Sequence, residues 1–310
     1  MLTVRGYVVG RVLQAVVALL GVTCVAFLLV SLSGDPAFIL LTPEAGAEQR
    51  AAFRELYGLD QPLPAQYARY VSHVARGDFG SSFAFNRPAI QVVLERLPAT
   101  LLLTVTAVAL GVVVGMPAGV AAAVTVSGPL DRLVMALVLL GQSVPTFWLG
   151  LLMIRIFAVN LRWVPVSGHG TVLHLVMPAA ALGLYLAALL ARLTRSEMLE
   201  ALAQDYVRTA RAKGLSERVV TVAHALKNAL LPIVTLIGLQ LGALLGGAVV
   251  TETVFAWPGI GSLVLDAILR KDYPVVLAAV EFVAAGFIVI NMALDLLYGY
   301  LDPRLRTART

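Results

Sequence analysis

The chain has 310 residues, of which 59% are hydrophobic and 13% charged, and its mean hydropathy is +0.88. That balance excludes an ordinary soluble domain, in which about a quarter of the residues are charged. The net charge of +5 is accounted for by membrane topology rather than by nucleic acid, and the single cysteine, Cys24, excludes a disulfide within the chain and reads as a small buried hydrophobe.

Six apolar runs are long enough to span a bilayer: residues 12–32, 99–126, 133–154, 173–191, 229–251 and 275–297. The first, as a helix, covers about 31 Å, one hydrocarbon core. Arg5 and Arg11 precede it as they would in a signal peptide. It is long for such a segment and no small-residue cleavage site follows, so it reads as a retained helix.

Residues 33–98 are too long for a simple connector and carry helical pattern. Pro43 and Pro64 suit first turns, and Gly58 and Gly77 suit helix stops. Phe53, Leu56 and Tyr57, then Tyr67, Tyr70, Val71 and Val74, fall at helical spacing, and a third short helix is expected from Pro88 toward the second span. This is a small helical cap, either a spacer or a docking surface; long ordered loops favour the second.

Within the spans, Gly111, Gly115 and Gly119, and again Gly238, Gly242 and Gly246, recur every four residues on one helix face. Such ladders let another helix approach closely, either as ordinary packing within the subunit or as a tight, movable seam beside a pathway. Pro117 and Pro145 are expected to bend spans two and three. After span five, TETVFAWPGIGSL is broken by Pro258, Gly259 and Gly261. Trp257 there suits a bilayer interface, and Leu263, Ile268 and Leu269 suggest a short surface or re-entrant helix. Glu252, Phe255, Trp257, Pro258 and Gly259 read as an outer gate, or as no more than a capped turn. Glu281 is the one acid clearly inside a run; a position at the interface is favoured over one lining a pathway.

With the N-terminus inside, cytoplasmic segments hold thirteen basic residues and the short outer segments four. The other six lie in the long outer loop, which crosses regardless of charge. Both termini are therefore expected on the cytoplasmic face. No G-x-x-x-x-G-K-[ST] holds ATP phosphates, no H-E-x-x-H or Cys/His cluster suggests a metal, and no G-x-S-x-G appears. The histidines, His73, His169, His174 and His224, are dispersed, and Ser143 has no evident partner. An ion-coupled carrier would show paired acids at mid-bilayer and an internal repeat; neither is visible.

Between Glu197 and Lys213 the apolar residues Leu199, Leu202, Ala203, Tyr206, Val207 and Ala210 oppose Gln204, Asp205, Arg208, Arg211 and Lys213. This predicts an amphipathic helix on the cytoplasmic side, stopped by Gly214. Ser216 is expected to cap a second helix bearing Val219, Val220, Val222, Ala223 and Leu226. A basic loop beside the membrane would explain the charges but not two capped helices. A protruding elbow suits a partner's cleft.

DYVRTARAKGLSE followed by HALKNALLP resembles the cytoplasmic coupling loop of ABC importer permeases of the dipeptide, oligopeptide and nickel branch. SGDP (33–36), YGLDQPLPAQY (57–67), GDFGSSF (77–83), SVPTFWLG (143–150), GGAVVTETVFAWPGIG (246–261), KDYPVV (271–276) and DLLYGYLDPR (295–304) extend the likeness along nearly the whole chain. Against the general consensus of Glu-Ala-Ala, three residues and Gly, Arg208, Thr209 and Ala210 stand in the first three places, Gly214 matches, and Leu231-Pro232 follows later than usual. Which side chains grip the ATPase stays open on that account.

The resemblance implies an all-α polytopic protein of the bacterial cytoplasmic membrane with six spans and both termini inside. It divides as residues 1–32, the outer loop 33–98 and a core 99–310, with a coupling loop at about 192–228 and a gate loop at about 252–274. It implies a similar second permease, two ATPase subunits or one fused ATPase that bind ATP and Mg, and an extracytoplasmic solute-binding protein that meets the outer loop and gate. The chain itself would bind no cofactor and catalyse nothing. Glu200, Asp205, Tyr206, Arg208, Thr209, Ala210, Arg211, Ala212, Lys213, Gly214 and Leu215 would meet the ATPase. The glycine ladders and Pro145 would shape the pathway. The expected cargo is a di- or oligopeptide, with glutathione or a nickel chelate as alternatives.

Overall fold

The computed structural model describes residues 4–32 and 46–301. Among the described residues the regular structure is helical, and extended pairing is confined to one isolated bridge between Ser81 and Pro88. Five of the described helices are long and apolar enough to cross a membrane, and a sharply bent pair can supply a sixth crossing. Pro43 and the SGDP stretch lie outside the described residues.

Helix α1 (Val4–Leu32) leads to the cap, made of α2 (Ala47–Tyr57) and α3 (Leu63–Val74). Gly58 ends α2 in the left-handed region at φ 68°, where a side chain is strained, and Pro64 sits in the first turn of α3, where its missing N–H costs nothing. The expected third cap helix and second span are a single 36-residue helix, α4 (Ala89–Val124), which carries Pro98 and Pro117 within it. The boundary drawn at residue 98 thus falls inside a helix.

Pro145 does more than bend its span. Helix α5 (Pro129–Ser143) stops and α6 (Thr146–Met153) sets off at 99° to it, continuing through a π-helical stretch, Ile154–Asn160. The residue before a proline is driven from the helical region; Val144 is extended at φ −89°, ψ 121°. Helix α7 (Val172–Leu202) runs well past the predicted end at Ala191. The elbow follows as α8 (Asp205–Ala212) and α9 (Glu217–Val219), the latter widening into a π-helix, Val220–Leu226, that feeds directly into α10 (Lys227–Gly247). The gate segment holds α11 (Val249–Val254) and α12 (Ile260–Leu269), and α13 (Tyr273–Leu301) is the last span. Arg11 near the start of α1 pairs with Asp295 near the end of α13 at 2.7 Å, which places those two helix ends on the same face.

The closest association is between α4 and α7. Gly111 faces Leu186, Gly115 lies on the backbone of Ala187, and Gly119 meets Ala191 O and the Thr194 side chain. Gly183 answers from α7, facing Leu110 and Ala107 O. Gly238, Gly242 and Gly246 of α10 meet Leu294, Phe287 and Val283 of α13. Both ladders therefore face helices of this same chain.

A side chain at Gly115 would collide with the α7 backbone, which cannot rotate aside. Gly115→Leu is expected to lower stability by at least about 1–3 kcal/mol, the usual cost of overpacking, seen as a lower unfolding temperature in detergent. Gly21→Leu is the control, because nothing lies within 4 Å of a Cβ there.

Candidate functional site

The gate segment is organised by one carboxylate. Glu252 is fully buried and sits where α12 begins. The leading N–H groups of a helix lack partners within it, and those of α12 are met one by one. Gly259 donates to Trp257 O at 2.8 Å, Ile260 to Thr100 Oγ1 at 2.7 Å, and Ser262 to Glu252 Oε2 at 2.7 Å, while Gly261 donates to the same carboxylate. Thr100 Oγ1 in turn donates to Glu252 Oε1 at 3.2 Å. Burial pushes the Glu252 carboxyl above the usual carboxylate range, and these donors pull it back. A Cβ on Gly259 would run into the carboxylate and one on Gly261 would lie 2.9 Å from Oε2. Both glycines are what lets the helix end close on the acid.

Trp257 is buried within the protein, donating from Nε1 to Ala99 O at 2.9 Å and standing edge-on to His169 at 4.8 Å. A buried indole needs such an internal acceptor for its N–H. Phe255 is also buried, against Gly150 of α6, and its carbonyl accepts from Gly168 N at 2.9 Å. Pro258 is half-buried between them. Leu263 of α12 is buried, while Ile268 and Leu269 are exposed. The gate residues are thus fastened to α4, to α6 and to the loop before α7.

Two more acids tie the cap to the core. Asp272, just before α13, is buried and accepts the Ser82 hydroxyl together with Phe83 N at 3.0 Å and Ala84 N at 3.1 Å. The quoted GDFGSSF and KDYPVV stretches are therefore the two halves of one clamp. Glu281 is buried inside the protein and accepts from the Tyr70 hydroxyl at 2.9 Å. Burial and that carboxylate raise the Tyr70 pKa, which keeps the hydroxyl a donor. Tyr67 donates to Leu20 O at 2.8 Å, and both tyrosine rings lie against Phe27. Cap helix α3 is thereby held along α1 and α13.

The elbow differs from the predicted stripe. Leu199 and Leu202 belong to α7, the chain breaks at Ala203–Gln204, and α8 begins at Asp205. Val207 and Ala210 are buried against Val220 and Leu202, whereas Tyr206 is exposed. Glu200, Asp205, Arg208, Thr209, Arg211, Ala212, Lys213, Gly214 and Leu215 are exposed as well. Gly214 turns the corner at φ 80°. Across that corner Arg211 Nε and Nη2 donate to Glu217 at 2.8 and 3.1 Å. Ser216 stands at the cap position of α9 without a side-chain cap bond. The buried face beyond it is Val220, Thr221 and Ala225, with Val219 and Val222 exposed, because the wide π turn shifts the stripe. Among the described residues no three His, Cys, Asp or Glu are grouped so as to hold a metal.

Residues 115–307 match the family described as "Binding-protein-dependent transport system inner membrane component", and residues 4–104 match its N-terminal companion. The chain belongs to this family. It is an ABC importer permease, a multi-pass membrane subunit that works with ATPase and binding-protein components. A relative from Salmonella paratyphi A, named "Glutathione transport system permease protein GsiC", is 45% identical over 97% of this chain and 98% of its own. One of the same name from Escherichia coli K12 is 43% identical over 97% and 98%. The fold is similar to a chain of the inward-facing MetNI methionine ABC transporter, with a TM-score of 0.56 at 22% identity over 68% of this chain and 97% of that one.

In this permease Thr100, Ser82 and Tyr70 escaped the sequence reading. Their partners lie 152, 190 and 211 residues away, and no local spacing announces a bond of that reach. The quoted motifs around Ser82 and Asp272 were the available signal. Glu252→Gln in the permease would place an amide N–H₂ among donors. It is expected to cost about 1–3 kcal/mol, as does any buried donor left unmet. Thr100→Val should cost a similar amount. In unfolding measurements the pair should show a coupling of about 0.5 kcal/mol or more; strictly additive losses would show that the two do not share the α12 terminus.

Proposed function

We propose that this permease forms half of a translocation pathway for glutathione and short peptides like it. The observation that carries the cargo reading is the 43–45% identity, over nearly the full length, to permeases named for glutathione transport. Glutathione is itself a small peptide, so the motifs shared with the peptide branch support the same class. In the proposed assembly a second, similar permease completes the pathway. Two ATPase subunits, or one fused ATPase, bind ATP and Mg below, and a solute-binding protein delivers cargo above. Thirteen basic residues in the segments assigned inside, against four in the short outer ones, support a cytoplasmic position for both termini in the inner membrane.

The elbow is the proposed ATPase contact. Its inner side, Val207 and Ala210, grips this chain, which leaves Glu200, Asp205, Tyr206, Arg208, Thr209, Arg211, Ala212, Lys213, Gly214 and Leu215 for the partner. ATP-driven closure of the ATPases would press on α8, and Leu202 of α7 and Val220 of the π turn that leads into α10, packed behind it, would carry the movement into the spans. The glycine seams would slide and the Glu252 segment would open or narrow the outer mouth.

The complete transporter in proteoliposomes, with its own binding protein, tests the cargo. ATP-dependent uptake of labelled glutathione is expected, reduced by excess short peptides. Uptake of dipeptides with no uptake of glutathione would move the assignment to peptides alone. For the elbow, Gly214→Pro cannot adopt φ 80°, and Arg211→Glu sets two carboxylates face to face where an ion pair closes the corner. Each is expected to cut uptake at least about tenfold, as loss of a charged contact does, with membrane insertion intact. Wild-type uptake together with unchanged ATPase co-purification would refute the contact.

A further inference from the structure

We infer that Asp131 and Arg195 are positioning residues for transport, forming the joint through which displacement of the elbow is passed to α5 and on to the outer gate. The inference rests on the proposed docking of the ATPase at the elbow. Asp131 lies outside the coupling loop, ladders and gate, and Arg195, at the start of the stretch 192–228, is not among the residues named for the ATPase contact.

Arg195 lies on α7, in the stretch just before the elbow. Its Nε donates to Asp131 Oδ1 at 2.6 Å and its Nη2 to Oδ2 at 2.8 Å. Asp131, in the first turn of α5, is buried, and the Arg195 side chain is 25% exposed. The same carboxylate also accepts from Ser127 N at 2.9 Å, in the tight turn that joins α4 to α5, where Ser127 has φ 65°. One acid therefore fixes the start of α5 to its own turn and to α7.

On the elbow side, the end of α7 is packed firmly. Met198 and Ala201 are buried with Ala225, Ala229 and Ile233, and Leu202 joins Val207, Ala210 and Val220 of the elbow. A push on α8 must move this part of α7. On the α5 side the apolar hold is a single stripe: Val138 is buried with Ala188 and Ala191, Val134 and Met135, with Ala118 of α4, pack half-buried against them, and Gly141 lies beside Ala188, while Leu133, Leu137, Leu139 and Leu140 are all exposed. A narrow apolar stripe permits sliding and rotation. A two-bond guanidinium–carboxylate fork resists both, because each displacement breaks a directed bond.

From α5 the line continues across the Pro145 break. Gly150 of α6 lies against Phe255, which follows α11 and the Glu252 carboxylate. The joint thus connects the elbow, where the ATPase is proposed to dock, with the segment proposed to narrow the outer mouth. A structural explanation for the pair is the weaker one: replacing a buried ion pair by well-packed apolar residues is often neutral for folding. What the apolar replacement would lose is orientation.

That difference is the test. The complete transporter in proteoliposomes is compared as wild type, Asp131→Asn, Arg195→Lys, and the apolar double variant Asp131→Leu with Arg195→Met. ATPase co-purification, hydrolysis stimulated by the binding protein, and cargo taken up per ATP are measured on each. The expected result is retained co-purification and hydrolysis, with cargo per ATP lower by about tenfold in Asp131→Asn and the double variant. Arg195→Lys, which keeps the charge and loses the fork, should fall less. Wild-type cargo per ATP in the double variant would overturn the inference. So would co-purification or hydrolysis falling in step with uptake, because the pair would then only be holding the fold. If Arg211→Glu in the same preparations leaves both uptake and ATPase binding untouched, the elbow contact is what failed.

Discussion

A helix that breaks in apolar surroundings strands N–H groups that water cannot reach, and the gate segment of this permease is arranged around meeting that demand at one break. The chain leaves α11 after Val254 and restarts as α12 at Ile260. Glu252 and Thr100 between them accept the first three N–H groups of α12. Because Thr100 comes from α4, satisfying the break also fixes where α4 stands relative to the gate. The glycines at 259 and 261 follow from the same requirement, since only a bare backbone approaches a carboxylate that closely. Trp257 is then carried inward to the Ala99 carbonyl.

How much of this was legible follows from the range of each interaction. Among the described residues length and apolarity located the five long helices and the bent pair, and the cap helices were visible because Pro64 and Gly58 act within a turn of themselves. Errors arose where one pattern covered two elements. The stripe from Leu199 to Ala210 looked continuous, yet the residues up to Leu202 finish α7 and those from Asp205 form α8, with a break at Ala203–Gln204. Pro145 was read as a bend because composition gives no angle; the 99° turn also needs somewhere for α6 to go, which Phe255 supplies through Gly150. The candidate elbow could be read from charge and a single glycine. The acid joints could not, because their partners lie far off in the chain.

Glu281 illustrates why an acid in an apolar run is ambiguous by sequence. A shallow carboxylate can reach the interface along its own helix, and that was the favoured reading. Here the solvent is replaced from above: α3 is laid against α1 and α13, and the Tyr70 hydroxyl meets the acid in place of water. The cap is therefore part of the packing of the last span. Ala89, Val92 and Val93 from the start of α4 are buried with Ile260 and Leu263 of α12 and with Val275 and Ala278 of α13, which extends the same body to the gate.

The directed bonds and the glycine ladders occupy complementary places. Thr100 with Glu252, Ser82 with Asp272 and Tyr70 with Glu281 bind the cap, α4, α12 and α13 to one another. Asp131 with Arg195 binds α5 to α7, and the apolar cluster around Met198 packs α7, the elbow and the start of α10 together with Val108 and Ala123 of α4. The ladders lie between those two sets: α4 meets α7 at Gly111, Gly115 and Gly119, and α10 meets α13 at Gly238, Gly242 and Gly246. Contacts there are close but carry no directional preference, so sliding costs less than breaking a charged fork. A rocking movement of the kind proposed needs stiff bodies and a yielding seam. In this chain four acids supply the directed bonds, and six glycines supply the close helix contacts along which the proposed sliding would run.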